Sequence, residues 1–212
     1  MPSTSHPIFA RLYPRLSQAM DEGGMGGHRH ALLAGLAGEV IEIGAGDGKN
    51  FPHYPTTVTR VQALEPEPRL RHLAQAAAGQ APVRIDVTDS LAERLPAPDA
   101  SLDAAVFAFT LCTISDPDAA LREAFRVLRP GGQVRFLEHV RAGTLGIILL
   151  QRLLATLAAA QITAFGAARR PLRPPGRRAG RSWPPLDFAV SGVYASGVGR
   201  NAVTRREDWP LL

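Results

Sequence analysis

Three glycines at alternate positions follow an acidic residue in the string Glu42-Ile43-Gly44-Ala45-Gly46-Asp47-Gly48. Glycine in such a run lets the chain turn sharply at positive φ and lets backbone approach a ligand more closely than a Cβ permits. After the first strand of an α/β sheet, a loop of this kind is where a nucleotide-like ligand sits. The spacing selects among ligands. A dinucleotide fingerprint, G-x-G-x-x-G, would put its third glycine at position 49, which is Lys49, and this disfavours a nicotinamide dehydrogenase. Glu42, two residues ahead of the first glycine, can orient the loop and accept a hydrogen bond from, or compensate, the ammonium of an amino-acid moiety. Glu65 lies 19 residues beyond Gly46 at the end of a second apolar run, where a carboxylate can take both hydroxyls of a ribose. The turn Thr88-Asp89-Ser90-Leu91-Ala92-Glu93-Arg94-Leu95-Pro96 offers either Asp89 or Leu91-Ala92 to an adenine ring, which needs an acceptor, a backbone donor and apolar walls.

These residues need a scaffold, and the chain alternates short apolar runs with helix-like stretches, the pattern of βαβ units and a parallel sheet. Strands are expected at residues 39–43, 58–64, 83–87, 102–109 and 133–139, with a helix at 69–78. Asp116 reads as an N-cap with Pro117 in the first turn of a helix running through Leu121, Phe125 and Leu128, stopped by Arg129-Pro130-Gly131-Gly132. Upstream, Phe9, Leu12, Tyr13, Leu16 and Met20 have helical spacing over residues 8–20. Residues 23–27 form a flexible break before a second helix at about 29–36. Downstream, residues 144–165 are long and apolar, but Arg152, costing roughly 2.5–3.5 kcal/mol at a bilayer centre, with Gln151 and Gln161, favours a core or lid helix over a membrane span.

Composition sets the outer bounds. The 212 residues are 45% hydrophobic, 20% charged and 6% aromatic, which excludes disordered, collagen-like and coiled-coil classes and makes one domain the default. Cys112 is the single cysteine, so no internal disulfide framework or zinc ribbon is expected, and a reducing, cytoplasmic setting is favoured. The first ten residues have neither a charged lead nor an apolar core and do not read as a secretory signal. Charge is uneven: residues 1–140 carry a net −3 and 141–212 a net +8. A basic tail of that kind could clamp nucleic acid, but it lacks the interleaved aromatic and base-reading groups, so nucleic acid is not the expected partner. No metal is expected, because His28 and His30 are spaced i, i+2 and do not share a helix face.

Taken together, Glu42 to Gly48 with Asn50-Phe51, Glu65-Pro66, Ala92-Glu93-Arg94-Leu95-Pro96, Leu111-Cys112-Thr113-Ile114, the LREAFRVLRPGG stretch ending at Gly132, and Phe136-Leu137-Glu138-His139-Val140 resemble the class I S-adenosylmethionine-dependent methyltransferases. Within them the chain is similar to the methyltransferase-11 group of ubiquinone/menaquinone methyltransferases, and to its thiol methyltransferase-like branch. The resemblance covers about residues 8–155. It implies a Rossmann-like, doubly wound α/β fold: a mainly parallel, seven-stranded sheet with one antiparallel strand and helices on both faces. It divides the chain into a helical roof (1–37), a cofactor-binding core (38–142) and a C-terminal part of the same domain (143–212). The implied cofactor is S-adenosyl-L-methionine, held by Glu42, Gly44, Ala45, Gly46, Gly48, Asn50, Glu65, Pro66, Asp89, Leu91, Ala92, Leu111 and Cys112.

The activity implied is methyl transfer to a small, apolar acceptor by in-line displacement, an EC 2.1.1 reaction. Because the leaving group departs neutral, proximity and alignment do most of the work. His139 is the first candidate where the acceptor must lose a proton, since imidazole titrates near neutral pH; Tyr13, on the roof, is the second. The acceptor pocket is expected to be apolar, walled by Phe9, Leu12, Tyr13 and a helix at 145–157. Peripheral membrane contact and oligomeric state stay open. Beyond residue 155 the chain departs from the resemblance. Residues 160–183 are Arg/Pro-rich, with six arginines and three prolines in 169–181, and read as a divergent surface loop or a reading-frame slip. An alternative reading follows, in which the altered C-terminal part leaves a cofactor-binding protein without catalysis; a third is a nucleic-acid methyltransferase using the basic tail.

Overall fold

Apolar residues alternate in both senses along the central strands, so both faces of the sheet are buried, as parallel strands require. The computed structural model describes residues 7–111, 113–139, 186–191 and 194–200. Five strands, β1 (Gly38–Ile43), β2 (Val58–Leu64), β3 (Ile85–Thr88), β4 (Leu102–Ala108) and β5 (Leu128–His139), form a parallel sheet in the order β3-β2-β1-β4-β5. One face carries Val40, Val61, Ala63, Ala104, Val106 and Leu137 against Leu32, Leu33 and Ala74. The other carries Ile41, Ile43, Ala105, Phe107 and Val134 against Ala120, Ala124 and Val127. Helices therefore cover both faces: α2 (Gly26–Leu33) and α3 (Pro68–Ala78) the first, α4 (Pro117–Val127) the second. This is a Rossmann-like α/β arrangement. Burying a side chain such as Ile41 or Phe107, each wholly out of solvent, contributes roughly 1.5–3 kcal/mol.

Local signals account for the helix ends. Asp116 caps α4 as expected, its carboxylate accepting from the Ala119 N–H at 2.9 Å. Glu67 caps α3 in the same way, accepting from the Leu70 N–H at 2.8 Å. Before the sheet, α1 (Pro7–Met20) runs into a wide helical turn, Asp21–Met25, and then α2.

Three expectations need correction. The glycine cluster is not an open break: Gly24 alone leaves helical angles, at φ +99°, and the helix resumes at Gly26 rather than near Arg29, ending at Leu33. The turn is held because Met25 is buried and Arg29 hydrogen-bonds back to Asp21. Further on, α4 stops at Val127, and Leu128 already pairs with Leu102. Arg129-Pro130-Gly131-Gly132 is absorbed as an irregularity inside β5, with Ala104 pairing Gln133. Finally, Leu12 does not wall an inner pocket: it is 57% exposed, while Ala10 and Ser17 are buried. The inward stripe of α1 is Ala10, Tyr13 and Ser17, at i, i+3 and i+7.

The expected helix at 144–165, the Arg/Pro-rich stretch and Cys112 lie outside the described residues, as do the side chains of Phe9 and His139. No helix among the described residues is long and apolar enough to cross a membrane.

Candidate active site

Loops at the carboxyl ends of β1, β2, β3 and β4 converge, as the topology of a parallel sheet dictates. After β1, Gly44 and Gly46 adopt φ +74° and +60°, a region that costs an L side chain roughly 1–2 kcal/mol. The Gly44 and Ala45 N–H groups both donate to the Leu64 carbonyl at 2.9 Å, which turns the loop over the end of β2. A Cβ on Gly44 would collide with Thr110; one on Gly46 would sit 3.0 Å from the Tyr13 hydroxyl oxygen. The glycines are therefore required both by backbone angle and by what packs on them.

Glu65, immediately after β2, faces this loop. Its Oε2 accepts from the Gly46 N–H at 2.8 Å and its Oε1 from the Glu67 N–H at 2.9 Å. The side chain is 6% exposed, and burial, only partly offset by those two bonds, pushes its pKa up to about 7. Each carboxylate oxygen has a second acceptor direction, so the hydrogen bonds to backbone leave room for two ribose hydroxyls. Arg71 fixes the same corner: its Nη1 donates to the carbonyls of Glu65 (2.8 Å) and Pro66 (2.9 Å), and its Nη2 lies 3.3 Å from Asp89. That contact brings the two expected adenosine-binding turns together. Leu91 is exposed and Ala92 buried, giving the second turn an apolar surface beside the exposed Asp89.

Glu42 is placed differently from its neighbours. Lying on the same strand face as Val40, it is 1% exposed, and both oxygens are taken within the protein: Oε1 by Asn50 Nδ2 at 2.8 Å and Oε2 by the Tyr54 hydroxyl at 2.7 Å. Burial outweighs these bonds and raises its pKa to about 7. Of its two expected roles, orienting the loop fits this geometry directly, and each oxygen keeps a second acceptor direction. Asn50 acts here through Glu42, and its Oδ1 accepts from Arg29 Nη1 at 2.8 Å. Asp47, half-buried, takes a hydrogen bond from Ser17 on α1 at 3.1 Å, and burial holds its pKa above the ordinary range.

Tyr13 leans over Gly46, and burial together with Asp47 raises its hydroxyl above the usual tyrosine range. Its hydroxyl therefore holds its proton at neutral pH. After β4, Phe109 turns at φ +58°, an outlier for an aromatic residue, and the Thr110 and Leu111 N–H groups donate to Glu138 Oε1 at 2.8 and 2.9 Å. Leu111 is buried beside this turn. His139 ends β5, at the same edge of the sheet. His28 is exposed, and His30 lies edge-on to His53, ring centroids 6.4 Å apart. Among the described residues no cluster of three or more His, Cys, Asp or Glu is arranged to hold a metal ion.

Sequence reasoning missed Arg29, Tyr54, Arg71 and Glu138 as parts of this assembly. An acid breaking the apolar run Phe136-Leu137-Glu138 was a readable signal; Arg29, flanked by two histidines, carried none.

The family model described as "Methyltransferase domain" matches residues 41–136. This segment is a methyltransferase domain. The chain is 34% identical over 115 residues to thiol S-methyltransferase TMT1A of Homo sapiens, covering 52% of this chain and 47% of that one. To the ubiquinone/menaquinone biosynthesis C-methyltransferase UbiE of Caulobacter it is 53% identical over 53 residues, 25% of this chain and 21% of that one. The chain thus spans about half the length of the thiol methyltransferases it matches. Among solved structures, a SAM-dependent methyltransferase of Thermotoga maritima superposes with a TM-score of 0.62 at 19% identity, over 92% of this chain and 99% of that one. The cyclase SpnF superposes with a TM-score of 0.50 at 24% identity, over 62% and 56%. These likenesses establish the fold alone, and a fold hosts more than one reaction.

Proposed function

We propose that the protein is a cytoplasmic, class I S-adenosylmethionine-dependent methyltransferase that acts on a small, apolar acceptor by in-line displacement. The observation that carries this reading is Glu65 bonded to the Gly46 N–H across the ends of β2 and β1, inside a methyltransferase domain. The fit of the cofactor rests on the same corner: glycines whose Cβ positions are filled by neighbours, a buried carboxylate with acceptor directions to spare, and the Arg71-tied turns for the base. When bound, S-adenosylmethionine supplies an electrophilic methyl on a sulfonium.

The chain's own residues do the rest. Gly44, Ala45, Gly46 and Gly48 present backbone to the methionine part, with Asn50 and Glu42 holding the loop from behind. Glu65 and Pro66 take the ribose, and Asp89, Leu91 and Ala92 the adenine. Leu111 and Cys112 follow β4 on the side where methyl donor and acceptor meet. Tyr13, protonated, closes the loop from α1. His139 removes a proton where the acceptor carries one. Alignment supplies most of the rate, since holding reactants in line is worth roughly 7–11 kcal/mol in favourable cases.

The reading includes a seven-stranded sheet with one antiparallel strand, in one domain roofed by residues 1–37 and completed by 143–212. It is supported by the extended segments Leu186–Ser191 and Tyr194–Arg200, whose backbone registers pair Gln133 with Arg200 and Ser191 with Tyr194 in the antiparallel sense. A cytoplasmic setting is supported by the single cysteine among 212 residues. Thiols and hydroquinones lead the acceptor panel, since the relatives are named as thiol and ubiquinone/menaquinone methyltransferases.

The test is calorimetric titration of S-adenosylmethionine and S-adenosylhomocysteine, with Gly46→Arg as control, followed by radiolabelled methyl transfer to that panel. Micromolar binding lost in the control, with turnover, is the expected result. No binding to the folded protein refutes the cofactor reading. Binding with no transfer to any acceptor supports the second reading, a cofactor-binding protein without catalysis.

A further inference from the structure

Arg29, 4% exposed, is the one cation among the buried polar side chains of the described residues, the others being Ser17, Glu42, Asn50, Glu65, Glu67 and Glu138. A buried guanidinium is costly unless every side of it is used, and here three separate segments use it. Its Nε donates to Asp21 Oδ1 at 3.0 Å, at the junction of α1 and α2. Its Nη1 donates to Asn50 Oδ1 at 2.8 Å, just past the glycine loop. Its guanidinium carbon lies 5.7 Å from the centroid of Phe109, the residue in left-handed conformation after β4, within the range of a cation–π contact.

The bond to Asn50 has a consequence for the loop. An amide has one acceptor end and one donor end. With Arg29 on the oxygen, the Asn50 nitrogen must point at Glu42, where it donates at 2.8 Å. Arg29 thus decides which way Asn50 faces, and Asn50 with Tyr54 decides where the Glu42 carboxylate sits behind the glycine loop. On its other side the same guanidinium backs Phe109, next to Thr110, the residue against which Gly44 packs.

We propose that Arg29 is a positioning residue for the amino-acid end of the cofactor: by locking Asn50 and backing Phe109 it preforms both walls of the glycine loop, without itself touching the ligand. The proposal rests on the cofactor reading above. It assigns a task to a residue of the roof, so that the roof and the methionine end of the site are one unit, while the adenosine end, which meets the loop through the Glu65–Gly46 bond, is held on its own side by Arg71 and its tie to Asp89.

That division supplies the test. Arg29→Met, Arg29→Lys and Asn50→Leu are titrated by calorimetry with two probes, S-adenosylhomocysteine and adenosine, the second lacking the amino-acid end, and folding is monitored by thermal unfolding. Arg29→Met is expected to weaken S-adenosylhomocysteine at least tenfold and adenosine less than twofold. Arg29→Lys keeps the charge but loses the planar fork and is expected to lose at least fivefold for the first probe only, which covers the case in which the methionine variant does not fold. Asn50→Leu combined with Arg29→Lys should cost no more than the worse single variant. Equal losses for both probes, or unchanged affinity for S-adenosylhomocysteine in Arg29→Lys, overturn the role. Wild-type protein that binds neither probe overturns the cofactor reading itself, a distinct outcome.

Discussion

Glu42→Gln should change how stability responds to pH, and the size of the change follows from the burial of this carboxylate. In the folded protein Glu42 is 1% exposed, and burial lifts its pKa from the ordinary 4.5 to about 7 against the opposing hydrogen bonds of Tyr54 and Asn50 and the charge of Arg29. The folded state therefore binds this proton more tightly than the unfolded chain. Its contribution to stability is fully present below about pH 4.5 and is lost as pH rises through about 7. At about 1.36 kcal/mol per pH unit across that window, raising the pH from about 5.5 to about 8 removes about 2 kcal/mol through this one group. For a chain of this size that corresponds to about 4–8 °C in Tm. Glutamine is uncharged throughout, can accept from Asn50 with its oxygen, and can donate to the Tyr54 oxygen. The Tm of Glu42→Gln relative to wild type should accordingly improve by that amount between the two pH values, in scanning calorimetry at constant ionic strength. Glu65 and Asp47 titrate in the same direction, and His53, whose pKa burial lowers, in the other; all three are common to both proteins and cancel. Parallel Tm–pH curves for the two proteins would refute the reasoning.

Glu65→Gln places an amide N–H against the Gly46 or Glu67 N–H; calorimetry should show S-adenosylhomocysteine and adenosine both weakened, by roughly 1–3 kcal/mol, and unchanged adenosine affinity would take Glu65 out of the ribose site. Gly44→Ala forces an L residue to φ +74° and drives a methyl into Thr110, so urea unfolding should report a loss of more than the roughly 1–2 kcal/mol that the left-handed angle alone costs. Asp116→Ala removes the α4 cap and should lower stability by about 1 kcal/mol with cofactor affinity unaltered; a change in affinity would mean that α4 reaches the site.

What could be read from the sequence was what a residue's immediate neighbours decide. Gly44, Gly46 and Gly48 announce themselves because positive φ is a local requirement, and Glu65 because it stands at a strand end whose address follows from the topology. Asp116 is legible for the same reason, its capping bond reaching only three residues ahead. The failures are contacts across the chain. Arg29 meets Asn50 across 21 residues, and Glu138 holds the Leu111 backbone across 27; no periodicity encodes either. The glycine cluster misled because composition cannot tell which of several glycines will use its freedom, and tertiary bonds around Gly24 kept the others helical. Leu12 misled because the inward face of α1 is chosen by what the glycine loop needs above it, a tyrosine and a serine, and not by apolarity. At Arg129-Pro130-Gly131-Gly132 composition predicts a helix stop, but pairing with β4 already begins at Leu128, so α4 ends at Val127 and the motif falls inside β5.

The arrangement of charge at the carboxyl end of the sheet carries one more consequence. Among the described residues Glu42, Glu65 and Glu138 are buried there with Arg29 as the buried cation, so buried acids outnumber buried cations at this rim. Two of these acids, with pKa values raised to about 7, are each about half protonated at neutral pH. A ligand bearing an ammonium, and still more one bearing a sulfonium as well, favours their charged forms and expels protons on binding. Titration at pH 7 in buffers of different ionisation enthalpy should therefore show release of roughly 0.5 proton or more per S-adenosylmethionine bound, and a smaller release for S-adenosylhomocysteine, whose sulfur is neutral. Affinity for the cationic ligand should rise from about pH 6 to about pH 8 by the same linkage. Proton uptake, or equal release for the two ligands, would show that the acids lie too deep to sense the sulfonium and act on the loop alone.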